Sequence, residues 1–341
     1  MLVIMRKGSS VDDCGRVEEE IRRLGFAAVR VPGADRTAIC ITGNKDPVEA
    51  DHFSQLPGVL ECIRVTKPYK LVSREVHPED TVVEVGGVKL GGLETVVAAG
   101  PCSVETEIRT LEVARQVKAA GAKLFRAGAF KPRTSPYAFQ GLGEEGLRTL
   151  RRVREEVGLP VVSEVIDTGC AETAAGYVDM LQVGARNMQN YSLLRKLGEL
   201  GKPVLLKRKM AATLEEWLMA AEYLLASGNQ RVVLCERGVR DFNNHSRNTL
   251  DLNVVPLVRQ ISHLPVLVDP SHGVGHRERV RPMARAALAA GAHGLLIEAH
   301  SDPDTAYSDA QQTIDVETLR GILRDAELLQ QLEPTLLGAQ G

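Results

Sequence analysis

The stretch Leu124-Phe125-Arg126-Ala127-Gly128-Ala129-Phe130, followed at once by Lys131-Pro132-Arg133-Thr134-Ser135, decides how this chain is read. The first part is an apolar run with the character of a buried strand, and Arg126 is its single charge. A cation inside such a run is costly unless something pairs with it. Just past the strand end come two cations, two hydroxyls and a rigidifying proline. That set suits a polyanion such as a phosphate ester. A solvated basic loop would have the same composition, so the rest of the chain has to choose between the two.

Working outward, the same kind of run recurs. Short, nearly all-apolar segments lie at 95–99, 123–130, 160–166, 180–184, 203–206, 232–235, 265–268 and 294–297. Helical periodicity fills the intervals at 105–120, 144–157, 214–226, 249–261 and 278–290, with short helices near 169–176 and 190–198 and a last one at 315–332. Apolar strands buried on both faces and alternating with amphipathic helices imply a parallel sheet. Eight such units in about 240 residues predict a (β/α)8 TIM barrel. An open, doubly wound sheet is the alternative, but eight units with no GxGxxG opening disfavour it.

Ahead of the barrel, residues 1–66 read as strand (2–5), helix (11–24, with Ser10 as N-cap), strand (26–31), turn (32–35), strand (37–42), short helix (48–56) and strand (59–65). The order βαββαβ is that of a small α+β ferredoxin-like domain. Cys40 and Cys62 fall in its apolar strands and read as core. Such modules bind a small ligand or another copy more often than they do chemistry, an analogy from fold alone. Residues 67–80 are polar with two prolines and read as a linker, and 81–90 read as a hairpin around Gly86-Gly87. The plan is therefore a domain at 1–66, linker and hairpin at 67–93, and a barrel at 94–335.

Composition narrows the class. A net charge of −2 gives no global reason to expect nucleic acid or an anionic membrane as partner. No apolar run approaches the roughly 18 residues of a membrane span. The start, Met1-Leu2-Val3-Ile4-Met5-Arg6-Lys7, lacks the charged-then-apolar order of a signal peptide. The cysteines at 14, 40, 62, 102, 170 and 235 are scattered without a CxxC pair, which points to a reducing cytoplasm.

In a (β/α)8 barrel the active site lies at the C-terminal strand ends. Those positions carry two chemical groups. Cys102, His272, Glu298 and Asp309 follow strands 1, 7 and 8, which are neighbours in a closed barrel. One thiolate, one imidazole and two carboxylates make a divalent-metal site suited to Mn²⁺, Fe²⁺, Co²⁺ or Zn²⁺. Taken singly, each is more often a buried Cys or a satisfied His; four donors at adjacent strand ends favour the metal. His276 and His300 are expected in outer roles. The second group is cationic: Arg126, Lys131, Arg133, Arg186, Lys207 and Arg237. So many cations in one mouth repel one another unless anions neutralise them. The pairing of metal and polyanion pocket fits a metal-assisted reaction on phosphorylated small molecules.

The segments AGPCSVE, KPRTSPYAFQGLG, QVGARNMQN, KPVLLKRK, LCERGVR, LPVLVDPSH and IEAH…SDA, in order from about residue 67 to 330, resemble 3-deoxy-D-arabino-heptulosonate 7-phosphate (DAHP) synthases. The match is best to the short type with an N-terminal ferredoxin-like domain. The resemblance implies condensation of phosphoenolpyruvate (PEP) with erythrose 4-phosphate and water, the first step of the shikimate pathway to aromatic amino acids. It implies that Cys102, His272, Glu298 and Asp309 bind the metal. It places PEP on Arg126, Lys131, Arg186, Lys207 and Arg237, with Ala185 beside them. It places the aldose phosphate on Lys131, Pro132, Arg133 and Thr134. Lys131, His272 and Cys102 would carry the catalysis, with Lys131 the candidate for proton transfer and Glu164 or a metal-bound water as other handlers of the attacking water. Lys209, Ser301 and the loop Gly273-Val274-Gly275-His276 depart from the commonest family pattern without removing a ligand.

Three rivals stand beside this reading. A 3-deoxy-D-manno-octulosonate 8-phosphate synthase would take arabinose 5-phosphate; the KPRT motif and the N-terminal domain speak against it. A Schiff-base aldolase would use Lys207 as nucleophile. A decayed barrel serving as a binding protein would tend to have lost a metal ligand. The N-terminal module is expected to bind an aromatic amino acid and control access to the barrel, and the resemblance suggests a homotetramer.

Overall fold

Helix α1 (Val11–Arg23) begins where the sequence places it, behind Ser10. Ser10 Oγ accepts from Asp13 N at 3.1 Å and Asp13 Oδ2 accepts from Ser10 N at 3.1 Å, a reciprocal cap worth about 1 kcal/mol. Cys14, Val17 and Ile21 lie on its buried face. They pack on a four-stranded sheet of order β2-β3-β1-β4, with β1 Leu2–Met5, β2 Ala27–Pro32, β3 Thr37–Thr42 and β4 Val59–Ile63, all neighbours antiparallel. Period-two alternation sends Val3, Met5, Ile39 and Ile41 into one core with Phe53 and Val59. The helix expected at 48–56 is a single turn, α2 (Asp51–Ser54). This is the ferredoxin-like order that the sequence predicts.

The structure is a computed structural model that describes all residues except 33–35, 45–47, 64–66, 133, 134, 136 and 339–341. Arg133 and Thr134, both assigned to the aldose phosphate, lie outside the described residues. The chain forms two compact units, Met1–Asp80 with Gln260–His263, and Thr81–Arg259 with Leu264–Gly341. Residues 67–80, read above as a linker, group with the first.

In the second unit eight parallel strands close on themselves: β7 Val96–Gly100, β8 Leu124–Arg126, β9 Val161–Val165, β10 Met180–Val183, β11 Val204–Lys207, β12 Val232–Glu236, β13 Val266–Val268 and β14 Gly294–Glu298, with β14 pairing to β7. The lower interior is filled by Val96, Ala98, Leu124, Val162, Met180, Leu205, Val233, Cys235, Leu267 and Leu296. A hairpin, β5 (Val83–Val85) and β6 (Val88–Leu90), packs Val83, Val85 and Leu90 into the same cluster and stops that end. Two residues further along each strand the same face carries Arg126, Glu164, Gln182, Lys207, Arg237, Asp269 and Glu298. The pleat alone therefore delivers the charged set to the upper end of the barrel.

In the barrel unit, three elements differ from expectation. The second barrel strand ends at Arg126, not 130. Beyond it Ala129 N donates to Ser163 Oγ at 3.1 Å, and Phe130 bridges to Gly141. Past Arg126 the pairing persists only as an isolated parallel bridge of Gly128 with Ser103, and the apolar character of 127–129 reflects burial. The helix expected from 249 starts at Val254 (α8, Val254–Ile261), since Thr249 is committed to a two-way backbone bridge with Val239. A short helix, α9 (Pro270–Val274), follows β13 directly, with Asp269 as N-cap and proline at its first position.

Candidate active site at the barrel mouth

Four donors converge from three neighbouring strands. Cys102 follows β7, His272 sits in α9 after β13, Glu298 ends β14, and Asp309 lies in the loop beyond it. One ligand atom from each lies within 4.8 Å of all the others. His272 Nε2 is 3.4 Å from Glu298 Oε1 and 3.9 Å from Asp309 Oδ2, and the Cys102 thiol donates to Asp309 Oδ2 at 3.0 Å. Ligands about 2.1–2.3 Å from a common tetrahedral centre stand roughly 3.4–3.8 Å apart. The spacing and the donor set therefore fit one divalent ion.

The electrostatics favour a cation there. Burial and the neighbouring Glu298 push the Cys102 thiol up to about 12, against the pull of Lys131. Burial also opposes the charges of Glu298 and Asp309, yet His272 and the nearby cations hold both carboxyls below their usual range. Two carboxylates and a potential thiolate in one buried cluster are mutually repulsive until a cation joins them. Asp269 Oδ2 faces His272 Nδ1 at 2.7 Å, and its carboxyl lies well below the usual range because His272 and Lys207 outweigh the cost of burial. The proton thus stays on Nδ1 and leaves Nε2 bare towards the cluster.

The loop bearing Asp309 is shaped to present it. Asp309 is the one non-glycine with positive φ among the described residues, at 55°. Asp tolerates that left-handed region at a cost of roughly 1–2 kcal/mol. The turn is held by Gln312 N and Thr313 N, which donate to Asp309 O at 3.2 and 3.3 Å. Buried Glu105 anchors the loop from outside: its Oε1 accepts from Tyr307 N at 2.8 Å and its Oε2 lies 3.3 Å from His300 Nε2. The other ring nitrogen of His300 accepts from Asp302 N at 2.9 Å, so His300 supports this loop and does not reach the cluster. His276 faces Gln311 at 3.3 Å and also stands apart.

The cations line a cavity of about 190 Å³ beside the four donors. Lys131, Arg186, Lys207 and Arg237 are in its wall, with Glu164, Pro132 and Ala185 between them. Glu164 approaches so closely that a Cβ on Gly184 would stand 1.9 Å from its Oε1, so a side chain there would displace the carboxylate. Lys207 pairs with Asp269, and Arg126 donates to Glu298 Oε1 at 3.1 Å and to Pro101 O at 3.0 Å. Arg126 Nε and Arg237 Nη1 are buried without a hydrogen-bond partner. Arg237 lines the cavity and Arg126 does not, so it is the open nitrogen of Arg237 that calls for an anion there. Arg186 is exposed at the rim in a 3₁₀ turn, Ala185–Asn187. Arg208, next to Lys207, faces away and pairs with buried Glu236 and with Asp251. Lys209 donates to Gln189 at 2.8 Å.

Sequence reasoning missed several wall residues. Arg240, Arg247, Asn248 and Met210 also line the cavity. Arg247 donates to Gln312 Oε1 at 2.6 Å, and Gln312 in turn donates to Glu298 Oε2. They reach in from loops with no periodicity, so only spatial proximity identifies them. Asp269 lies within the LPVLVDPSH segment, where an acidic residue ahead of proline signals an N-cap.

Comparison with known proteins finds matches to both parts of the chain. Residues 75–337 match the DAHP synthetase I family, and residues 1–67 match the DAHP synthase ferredoxin-like domain. The chain is 46% identical over 329 residues to a phospho-2-dehydro-3-deoxyheptonate aldolase of Thermotoga maritima, covering 96% of this chain and 97% of that one. The crystal structure of a phospho-2-dehydro-3-deoxyheptonate aldolase (DAHP synthase) from Thermotoga maritima superposes with a TM-score of 0.76 at 45% identity, covering 96% of each chain. A 2-dehydro-3-deoxyphosphooctonate aldolase of Koribacter versatilis is 34% identical over 262 residues, covering 70% of this chain and 92% of that one.

Proposed function

The chain belongs to the DAHP synthetase I family, and from that premise we propose that its barrel mouth condenses PEP with D-erythrose 4-phosphate and water to give DAHP and inorganic phosphate. This is the first step of the shikimate pathway. The observation that carries the reading is the adjacency of a four-donor cluster to a cation-lined cavity in which buried Arg237 keeps one nitrogen open.

Each residue then has a task. Cys102, His272, Glu298 and Asp309 would hold one divalent ion, which would supply Lewis-acid activation of the aldehyde. Arg237, Lys207 and Arg186 bind the phosphate and carboxylate of PEP and aim its C3 at the aldehyde carbon. Lys131 lies between the two groups, with its Nζ 2.9 Å from Cys102 Sγ, and supplies the proton to the aldehyde oxygen as the new C–C bond forms. Glu164, across the cavity, accepts a proton from the water that adds at C2 of PEP. Collapse of that adduct breaks the C2–O bond and releases inorganic phosphate. Pro132, Arg133 and Thr134 are assigned the aldose phosphate.

A substrate panel tests the aldose. The octulosonate-type relatives cover less of this chain, at lower identity, than the heptonate type. Phosphate release with erythrose 4-phosphate well above that with arabinose 5-phosphate is expected; the reverse preference would move the chain to the sister activity.

The ferredoxin-like unit contains a cavity of about 330 Å³ with apolar walls from Val31, Ala38 and Val76 and polar groups from His77, Glu79 and Arg36. Apolar walls with both charge signs suit a free amino acid, and tyrosine or phenylalanine is the proposed effector. Inhibition of the full-length protein by either supports this; indifference to both ends it. A homotetramer is proposed from the family, checked by light scattering. No described helix is long and apolar enough to cross a membrane, and a cytoplasmic location is proposed.

A further inference from the structure

Asp269 is fully buried at the end of β13 and its two carboxylate oxygens are divided between the two halves of the site. Oδ1 accepts from His272 N at 2.9 Å, which fixes the start of α9. Oδ2 is shared: it faces His272 Nδ1 at 2.7 Å and also accepts from Lys207 Nζ. The backbone allows little drift, since Asp269 N donates to Glu236 O at 2.8 Å. His272 belongs to the metal cluster, and Lys207 lines the anion cavity.

We propose that Asp269 is a positioning residue that couples metal binding to PEP binding, because one carboxylate oxygen is divided between a metal-ligating histidine and a substrate-facing lysine. The inference rests on the proposed function, in which Lys207 meets an anionic group of PEP. An anion that engages Lys207 draws its charge away from Asp269. The carboxylate then acts more fully on the imidazole, whose Nε2 becomes a stronger donor. PEP therefore tightens the metal, and by linkage the metal tightens PEP by the same factor.

The test is calorimetric titration of the full-length protein with Mn²⁺ alone and with PEP. Asp269→Asn, which keeps the shape and removes the charge, should weaken Mn²⁺ binding about 10- to 100-fold. Lys207→Met, which alters none of the ion's own ligands, should tighten Mn²⁺ binding about fivefold or more. In the double variant Lys207→Met should have lost that effect. If Lys207→Met changes Mn²⁺ affinity by the same factor with and without Asp269, the coupling does not run through Asp269 and the inference fails. Should Asp269→Asn not fold, equal Mn²⁺ affinities of the wild type and Lys207→Met overturn it. A wild type that binds neither Mn²⁺ nor PEP would overturn the proposed function as well; one that binds both without responding to Lys207→Met overturns the coupling only.

Discussion

Lys131 Nζ lies 2.9 Å from Cys102 Sγ and donates to Cys102 O at 3.0 Å, which ties the first residue of the KPRT loop to the first donor of the metal cluster. Burial alone would push the lysine pKa down, but its interactions with Cys102, Glu164 and Glu298 outweigh it and hold the pKa above its usual value. The ammonium is therefore intact at neutral pH, beside the place proposed for the aldehyde. Lys131→Met should lower kcat about 10²- to 10⁴-fold, the range for a lost general acid. Mn²⁺ should still bind. A kcat within a few-fold of wild type would remove Lys131 from proton transfer.

Metal binding should release about one proton per ion at pH 7.5, and Cys102 is its source. The thiol sits at about 12 without the ion, whereas Glu298 and Asp309 are already ionised and burial keeps His272 neutral. Affinity should rise with pH for that reason. Titration in buffers of different ionisation enthalpy measures the proton count. Cys102→Ser should bind Mn²⁺ more weakly and release almost none. Equal release from both proteins would place the proton elsewhere.

Arg237 is buried with one nitrogen left open. Replacing it with methionine removes a charge-assisted bond worth about 1.5–3 kcal/mol. PEP affinity should fall about 10- to 100-fold while Mn²⁺ affinity stays near the wild-type value. A loss of metal binding without a change in PEP affinity would reverse the assignment.

In the first unit His263 is buried, stacks on His77 with ring centroids 4.5 Å apart, and faces Leu71 O at 2.7 Å. Burial lowers its pKa to about 4, assisted by His77, against the Leu71 carbonyl. In the unfolded chain the value returns to about 6.5, so the unfolded state takes up the proton first as pH falls. The contribution of neutral His263 is fully present above about pH 6.5 and is lost as pH falls through about 4, on the order of 3 kcal/mol. Thermal melts from pH 7.5 to 4 should fall more steeply for the wild type than for His263→Gln. Parallel curves would contradict this.

How much of this was legible in the sequence depended on periodicity. Strands buried on both faces stand out as apolar runs, and the period-two pleat that fills the lower barrel with Leu124, Leu205 and Leu296 also points Arg126, Lys207 and Glu298 into the mouth. Ser10 announced its helix through a local cap. Asp309 could be named from the sequence as a donor in the loop after the eighth strand, but its presentation could not, because that depends on a left-handed turn braced by Glu105, some 200 residues earlier in the chain. Arg247 and Gln312 carried no sequence signal, since their meeting is set by loop closure. The strand extended too far at Phe130 because burial and ladder pairing leave the same apolar trace.

The most direct test of the account is phosphate release from PEP in the presence of erythrose 4-phosphate, followed before chelation, after chelation and after Mn²⁺ is restored. Activity that disappears with the chelator and returns with the metal is the predicted result. Turnover indifferent to chelation would contradict the Cys102–His272–Glu298–Asp309 centre, and no turnover with this aldose under any metal would contradict the proposed reaction.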